Sequence, residues 1–151
     1  MSAIASFTVV DRSRVPEMAR LARESASALR AYLSEHGRDP GARYDWSGFC
    51  LVDLLDYLEE RGVDLEESEF AAEAIALNEV DDLTVLITSA HRRFLDRLDP
   101  AGHREEELSA HFEELGNGFE ESGRAGLDGL KLLHDTISRL RDDEVLLLHV
   151  G

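Results

Sequence analysis

The chain closes with the apolar run Val145-Leu146-Leu147-Leu148-His149-Val150. A short, continuous apolar run of this kind is typical of a strand that is buried on both faces. A second strand is predicted at Ile4–Val10, where apolar and polar residues alternate. Because these two strands flank the rest of the sequence, we expect the C-terminal strand to pair with the N-terminal one in a small sheet.

Over most of the chain between these strands, the apolar residues recur at helical spacing. Leu83–Thr88 fits either a strand or part of a continuous helix, and its β-branched residues favour a strand, with a helix capped by Thr88 or Ser89 after it. The predicted fold is a helix-rich α+β single domain, residues 1–151, with five or six helices packed on the small sheet. Besides the helix after Ser89, helices are predicted at Val15–Leu33, from Ser47 or Gly48 to Arg61, at Glu66–Leu77, at His103–Leu115 and at Arg124–Leu140.

The charge of the chain limits its partners. The 151 residues include 32 acidic and 16 basic ones, for a formal net charge of −16. A field of this sign repels nucleic-acid phosphates and anionic membranes, and it attracts cations. We therefore expect no nucleic-acid or membrane partner and consider a basic protein as the candidate partner. The alternative is that the charge only keeps a small protein soluble.

Cysteine usage and the opening segment bear on the cellular compartment. Cys50 is the only cysteine, so no intramolecular disulfide is possible, and its apolar neighbours predict a buried, inert thiol. The segment Met1–Ser6 lacks the basic residues of a signal peptide. No apolar run reaches the roughly 18 residues of a transmembrane helix. We expect a cytoplasmic protein.

Three segments together resemble the YfbM-like small bacterial proteins of unknown function. They are the opening strand with the helix that follows its Asp/Ser turn, the run Leu83–His91, and the last helix with the charged turn Arg141–Glu144 and the closing strand. The resemblance implies a small bacterial protein of a family without a settled activity. It therefore transfers no functional residue to this chain.

A stripe of His and Glu residues is the candidate metal site. The stripe consists of His103, Glu107, His111 and Glu114. Spacings of four, four and three residues place them on one helix face, and imidazole and carboxylate are ligands of divalent metals. A complete site would also need a ligand from another helix, such as His91 or Asp96. Alternatively, Leu108, Phe112 and Leu115 take the buried face and the stripe faces solvent.

Aromatic residues cluster before the second predicted helix. Tyr44, Trp46 and Phe49 lie within six residues. If exposed, they would be partner-binding anchors, because Trp and Tyr dominate interface hot spots; if buried, they form a small core that orders the loop. Gly116-Asn117-Gly118 predicts a mobile turn before the last helix. Its glycines lack the spacing of a nucleotide-binding motif, and no cofactor is expected.

The sequence contains no recognisable catalytic motif. This favours a non-enzymatic binding or regulatory protein, and immunity-type binding of a basic effector is one version. Two alternatives stay open: a small metal-dependent enzyme that uses the His/Glu stripe, and a sensor that binds a small molecule between the sheet and its helices. A generic α+β pattern does not choose between these, since function depends on the site rather than on the fold.

Overall fold

The closing apolar run forms the central strand of the sheet. The computed structural model describes residues 3–79 and 83–151, so Met1 and Ser2 of the opening segment lie outside the described residues. Within them, strands β1 (Ala5–Asp11), β2 (Leu83–Thr88) and β3 (Glu144–Val150) form an antiparallel sheet in the order β1–β3–β2. The predicted pairing of the two terminal strands is confirmed, and so is the strand at Leu83–Thr88.

Strand β3 is buried on both faces, as its composition predicts. Leu148 stands opposite Phe7 of β1 and Val85 of β2, and these three residues belong to one hydrophobic cluster. Leu147 points the other way and joins a second cluster together with Leu86. The alternation follows from the period of two along a strand, which sends successive side chains to opposite faces.

Helices cover both faces of the sheet. Helices α3, α5 and α7 pack on the face that carries Leu148, with α6 against α3 and α7, while α1, α2 and α4 cover the other face. The predicted helix-rich α+β fold is confirmed. In residues 3–79 and 83–151, no helix combines the length and the apolar composition that crossing a bilayer requires. The helices are α1 (Val15–Glu24), α2 (Ala26–His36), α3 (Gly48–Glu60), α4 (Ala71–Asn78), α5 (Leu95–Leu98), α6 (Glu105–Glu114) and α7 (Ser122–Ser138).

The predicted helix at Val15–Leu33 is two helices in the structure. Ser25 takes an extended conformation, with φ −164° and ψ 129°, and caps α2 by accepting a hydrogen bond from the Ala28 backbone N–H at 3.3 Å. A serine hydroxyl can accept such a free backbone N–H, and serine is therefore favoured at the N-cap, the residue just before a helix begins. The apolar period runs through this break, so the period alone did not reveal it.

The predicted helix at Glu66–Leu77 begins later, at Ala71. The Asp64 carboxylate accepts the backbone N–H groups of Glu66 and Glu67 at 2.9 and 3.2 Å, which closes a turn. The Ser68 hydroxyl accepts the N–H of Phe70 at 3.1 Å. These side chains satisfy donors that a helix would otherwise leave free at its first turn, so the segment before Ala71 stays irregular.

His91 holds the corner between β2 and the short 3-10 helix Ser89–Phe94 that follows it. The Thr88 backbone N–H donates to Nδ1 at 2.9 Å, and Nε2 donates to the Glu67 carbonyl at 2.8 Å. A ring that accepts at one nitrogen and donates at the other is a neutral imidazole. The side chain is 1% exposed, and burial lowers its pKa. His91 is therefore a structural residue with both nitrogens engaged.

Replacing His91 is expected to change how stability depends on pH. The unfolded chain takes up a proton at His91 near pH 6.5, whereas the folded chain does so only at a lower pH. His91 thus stabilises the fold fully above pH 6.5, and this contribution is lost as the pH falls from there through the folded-state pKa. Urea unfolding at pH 7.5 and 5.5 should show a smaller acid-induced loss in His91→Gln than in the native chain.

The two proteins differ only at residue 91, so the difference between their pH dependences isolates His91. Parallel pH dependences of the free energy of unfolding would contradict this account of the corner.

Candidate functional site

Helix α3 is the scaffold of the candidate site. Its first residue, Gly48, lies against the end of the sheet, where β1 begins and β3 ends. A Cβ added at Gly48 would come within 2.8 Å of a Val150 methyl group and 3.1 Å of the Ala5 backbone nitrogen. The Gly48 N–H also donates to the Ala3 carbonyl at 2.7 Å. Leu51, Leu54 and Leu58 are fully buried against the core, so the polar side chains of α3 face outward, toward α6 and solvent.

The three predicted partner-binding aromatics have different environments. The Tyr44 hydroxyl donates to the Ala125 carbonyl at 2.7 Å, and burial raises its pKa. Trp46 is partly buried and its Nε1 donates to Asp128 Oδ2 at 2.8 Å. Phe49 is 46% exposed. Tyr44 and Trp46 therefore tie the loop to α7, and Phe49 is the most exposed of the three.

Phe119 lines the same groove as Phe49, and the sequence analysis did not predict this. Phe119 is 45% exposed, and its ring centroid lies 6.1 Å from that of Trp46. Phe49 and Phe119 line one groove of about 450 Å³ between the start of α3 and the α6–α7 connection. We call this the aromatic groove; it is lined by Ser47, Phe49, Cys50, Val52, Asp53, Asn117 and Phe119.

The glycine turn that the sequence analysis noted fixes the position of Phe119. Gly116 has φ +79°, a left-handed conformation that glycine adopts without strain. The Asn117 side-chain amide donates to Asp53 Oδ1 at 3.2 Å, and its backbone N–H donates to the Phe112 carbonyl at 2.9 Å. A Gly-Asn-Gly turn followed by an aromatic residue was the signal in the sequence that could have placed Phe119 at a surface.

The predicted His/Glu stripe does not form one cluster. His103 Nδ1 lies 2.8 Å from the Tyr57 hydroxyl and Nε2 lies 2.7 Å from the Arg97 carbonyl. Because a carbonyl only accepts, Nε2 carries the proton and Nδ1 accepts from Tyr57. Glu107 and Glu114 are exposed on α6. His103 therefore supports the buried Tyr57, and its two nitrogens are occupied by protein groups.

His111 is the member of the stripe that meets acidic residues from another helix. It is 6% exposed, and its ring packs edge-on against Tyr57. Its Nε2 lies 2.9 Å from Asp56 Oδ2 and its Nδ1 lies 3.4 Å from Glu60 Oε2. The second helix that a complete metal site required is therefore α3, and neither His91 nor Asp96 takes part in this cluster among the described residues.

Negative charge is concentrated around the end of α3. The pKa of Glu66 is raised first by burial and then by the charges of Glu59, Asp64 and Asp56. Like charges so close together disfavour ionisation of one another. Helix α6, which contacts α3, carries the further exposed acidic residue Glu107.

A second cleft lies between α7 and the loop that carries Tyr44 and Trp46. Its volume is about 460 Å³. A backbone bridge between Val9 and Arg38, with both N–H···O distances at 2.8 Å, pins the loop to the edge strand β1. We call this the charged cleft, because four cationic side chains and four acidic ones line it. The cationic residues are Arg38, Arg43, Lys131 and Arg139, and Lys131 is the only lysine of the chain.

No protein-family model, curated protein or solved structure matches the chain. The resemblance to the YfbM-like proteins stays a prediction, and functional inference rests on the residues described above.

Replacing the Tyr44 hydroxyl is expected to affect stability and not binding. Tyr44→Phe removes the hydrogen bond that the hydroxyl donates to the Ala125 carbonyl of α7, so the free energy of unfolding should fall by about 1 kcal/mol. Urea unfolding measures this loss. Unchanged stability together with weaker association with a partner would instead place Tyr44 on the partner-binding surface.

Proposed function

We propose that the chain is a cytoplasmic, non-enzymatic protein-binding domain that takes a basic partner at the aromatic groove. The observation that carries the proposal is that Phe49 and Phe119, each nearly half exposed, line one groove. Adjacent exposed aromatics leave apolar area in water, and such a patch is typical of an interaction site. Aromatic anchors in a pocket supply most of the free energy at many interfaces.

The charges around the groove determine the kind of partner. Glu113 and Glu114 are exposed at the end of α6, and Glu120 and Glu121 are exposed on the connection that carries Phe119. Asp53 lies in the groove wall, beside Asn117. A groove lined by aromatic rings with acidic residues around it suits Arg and Lys side chains, through charge attraction and cation–π contact with the rings. Nucleic acid is disfavoured, because its phosphates would meet a chain with a net charge of −16.

Immunity-type neutralisation of a basic effector is one version of this function. The net charge would steer such an effector toward the acidic rim, and the aromatic pair would then hold it. In this version the groove covers a surface that the effector needs for its own activity. The version differs from general regulatory binding in the identity of the partner and uses the same residues of this chain.

The double variant Phe49→Ala/Phe119→Ala is expected to weaken partner binding at least about tenfold, because hot-spot residues contribute about 2 kcal/mol or more. The partner is the basic protein that the native chain retains from a lysate of its source organism at low salt. Isothermal titration calorimetry measures the affinity. Association should also weaken between about 0.1 and 1 M salt, where the Debye length falls from about 10 to about 3 Å.

Ile75→Ala is the matched control, because Ile75 is 64% exposed on α4, on the opposite face of the sheet. It removes exposed apolar surface without touching the groove, so its affinity should equal that of the native chain. Equal losses in the double variant and in Ile75→Ala, or association that ignores both salt and the double variant, would contradict the proposal.

A second candidate function is the binding of a small anion in the charged cleft. Four cationic and four acidic side chains line this cleft, so it is balanced in charge within a chain that carries −16. Arg38 pairs with Glu144 at 2.5 Å. Arg43, Lys131 and Arg139 have no ion-pair partner among the residues that the structure describes. The volume of the cleft falls in the usual range of ligand sites, about 300–1,000 Å³.

Lys131→Gln is expected to abolish stabilisation of the chain by a small anion. Inorganic phosphate, citrate and a nucleoside monophosphate are the probes, and thermal unfolding is the measurement. A ligand at a hundred times its dissociation constant stabilises the folded state by about 2.7 kcal/mol. Arg124→Gln is the control, since Arg124 is exposed on the same helix and does not line the cleft. No stabilisation by any probe, or an equal loss in both variants, would exclude this candidate.

A further inference from the structure

Two acidic residues of α3 and one histidine of α6 come together at the surface between these helices. Asp56 and Glu60 are four residues apart, so they project from the same face of α3. His111 faces them from α6, at the two ring-nitrogen distances given above. One ligand atom from each of the three residues lies within 4.8 Å of the other two.

We propose that Asp56, Glu60 and His111 bind one divalent transition-metal ion. The site rests on residues other than those that carry the aromatic groove, so either can fail without the other. Its donor set is one imidazole nitrogen and two carboxylate oxygens, the ligand types that zinc and manganese accept.

The burial pattern of the three side chains suits a bound ion. His111 is 6% exposed and its ring is packed against Tyr57, which restricts its motion. The side chains of Asp56 and Glu60 are 47% and 61% exposed, so their carboxylates have room to turn toward an ion. A fixed imidazole with two adjustable carboxylates leaves coordination positions on the solvent side for water.

The two nitrogens of His111 take different roles in such a site. An imidazole gives one nitrogen to the metal, and the other N–H of a metal-binding histidine usually donates to a carboxylate or carbonyl oxygen that orients the ring. With the ion on Nε2 beside Asp56, the exposed Glu60 side chain would turn from the Nδ1 side toward the ion, and Nδ1–H would then donate to water.

The surrounding charge favours a cation at this position. Glu59, Asp64 and Glu66 belong to the acidic group at the end of α3, and the exposed Glu107 lies on α6. The positive charge of His111, if it were protonated, could offset only one of these carboxylates. A divalent ion would neutralise more of the negative field and would also join α3 to α6.

The alternative without a metal is a histidine that is held between two carboxylates by hydrogen bonds alone. In that case added metal ions bind only as diffuse counterions, and each acidic residue near the end of α3 contributes similarly. The comparison of Glu60 with Glu59 separates these two cases, because both are exposed glutamates of α3 and only Glu60 belongs to the cluster.

Isothermal titration calorimetry with chelator-treated full-length chain tests the proposal. Zn²⁺ and Mn²⁺ are expected to bind with a stoichiometry of one ion per chain, and Mg²⁺ more weakly, because imidazole favours the transition metals. Glu60→Gln and Asp56→Asn should each weaken Zn²⁺ binding at least tenfold. Glu59→Gln, with the same loss of charge, should bind Zn²⁺ within about twofold of the native chain.

A second readout identifies the histidine. Binding of Zn²⁺ should shift the ¹⁵N resonances of the His111 ring and leave those of His103 in place, which tests the nitrogen ligand without a variant at a buried position. Equal weakening by Glu59→Gln and Glu60→Gln, the absence of saturable binding, or a shift at His103 in place of His111 would each overturn the proposal.

Discussion

The structure depends on the central position of β3. This strand supplies hydrogen-bond partners to β1 on one side and to β2 on the other, so segments from the two ends and the middle of the chain meet on it. Its side chains alternate between the two hydrophobic clusters, and Leu146 and Leu148 on one face and Val145 and Leu147 on the other are all buried. Each helical layer packs on one of these two faces. Among the described residues, no other strand pairs with both of its neighbours in the sheet as β3 does.

Helix α3 connects this core to the surfaces that we propose are functional. One side of the helix is buried on the sheet, which fixes its position. Its outer side then carries Phe49 near one end and Asp56 and Glu60 near the other. Side chains on a packed helix are held more firmly than side chains on a free loop, which favours both an aromatic anchor and a metal site. The opposite layer, α1, α2 and α4, contributes to neither.

Elements with a regular apolar pattern could be predicted from the sequence, and this covers most of the fold. The run that forms β3 indicated burial on both faces, and the alternation near the N-terminus indicated β1. The break at Ser25 could not be predicted in the same way, because it depends on a side chain that caps the next helix within an unbroken apolar period. Leu115 was expected inside and is 41% exposed, because α6 ends at Glu114 and the left-handed Gly116 redirects the chain.

The candidate site was predicted in part. Spacing predicted that His103, Glu107, His111 and Glu114 share a helix face, but this is wrong for His103, which lies in extended backbone before α6. Spacing also does not say which helix lies opposite. Asp56 and His111 are 55 positions apart, and only the packing of α6 on α3 brings them together. Phe49 was identified as an aromatic that could anchor a partner. Phe119, which lines the same groove, was missed because its position depends on how a glycine turn returns the chain to α3.

Amide hydrogen exchange of the native chain, with and without the basic partner that it retains, tests the central claim that α3 and the α6–α7 connection form the binding surface. The account predicts that the partner slows exchange in residues 47–53 and 115–121 and leaves α1, α2 and α4 unchanged. Slower exchange in α1 or α4, with residues 47–53 and 115–121 unaffected, would place binding on the other face of the sheet and contradict the account.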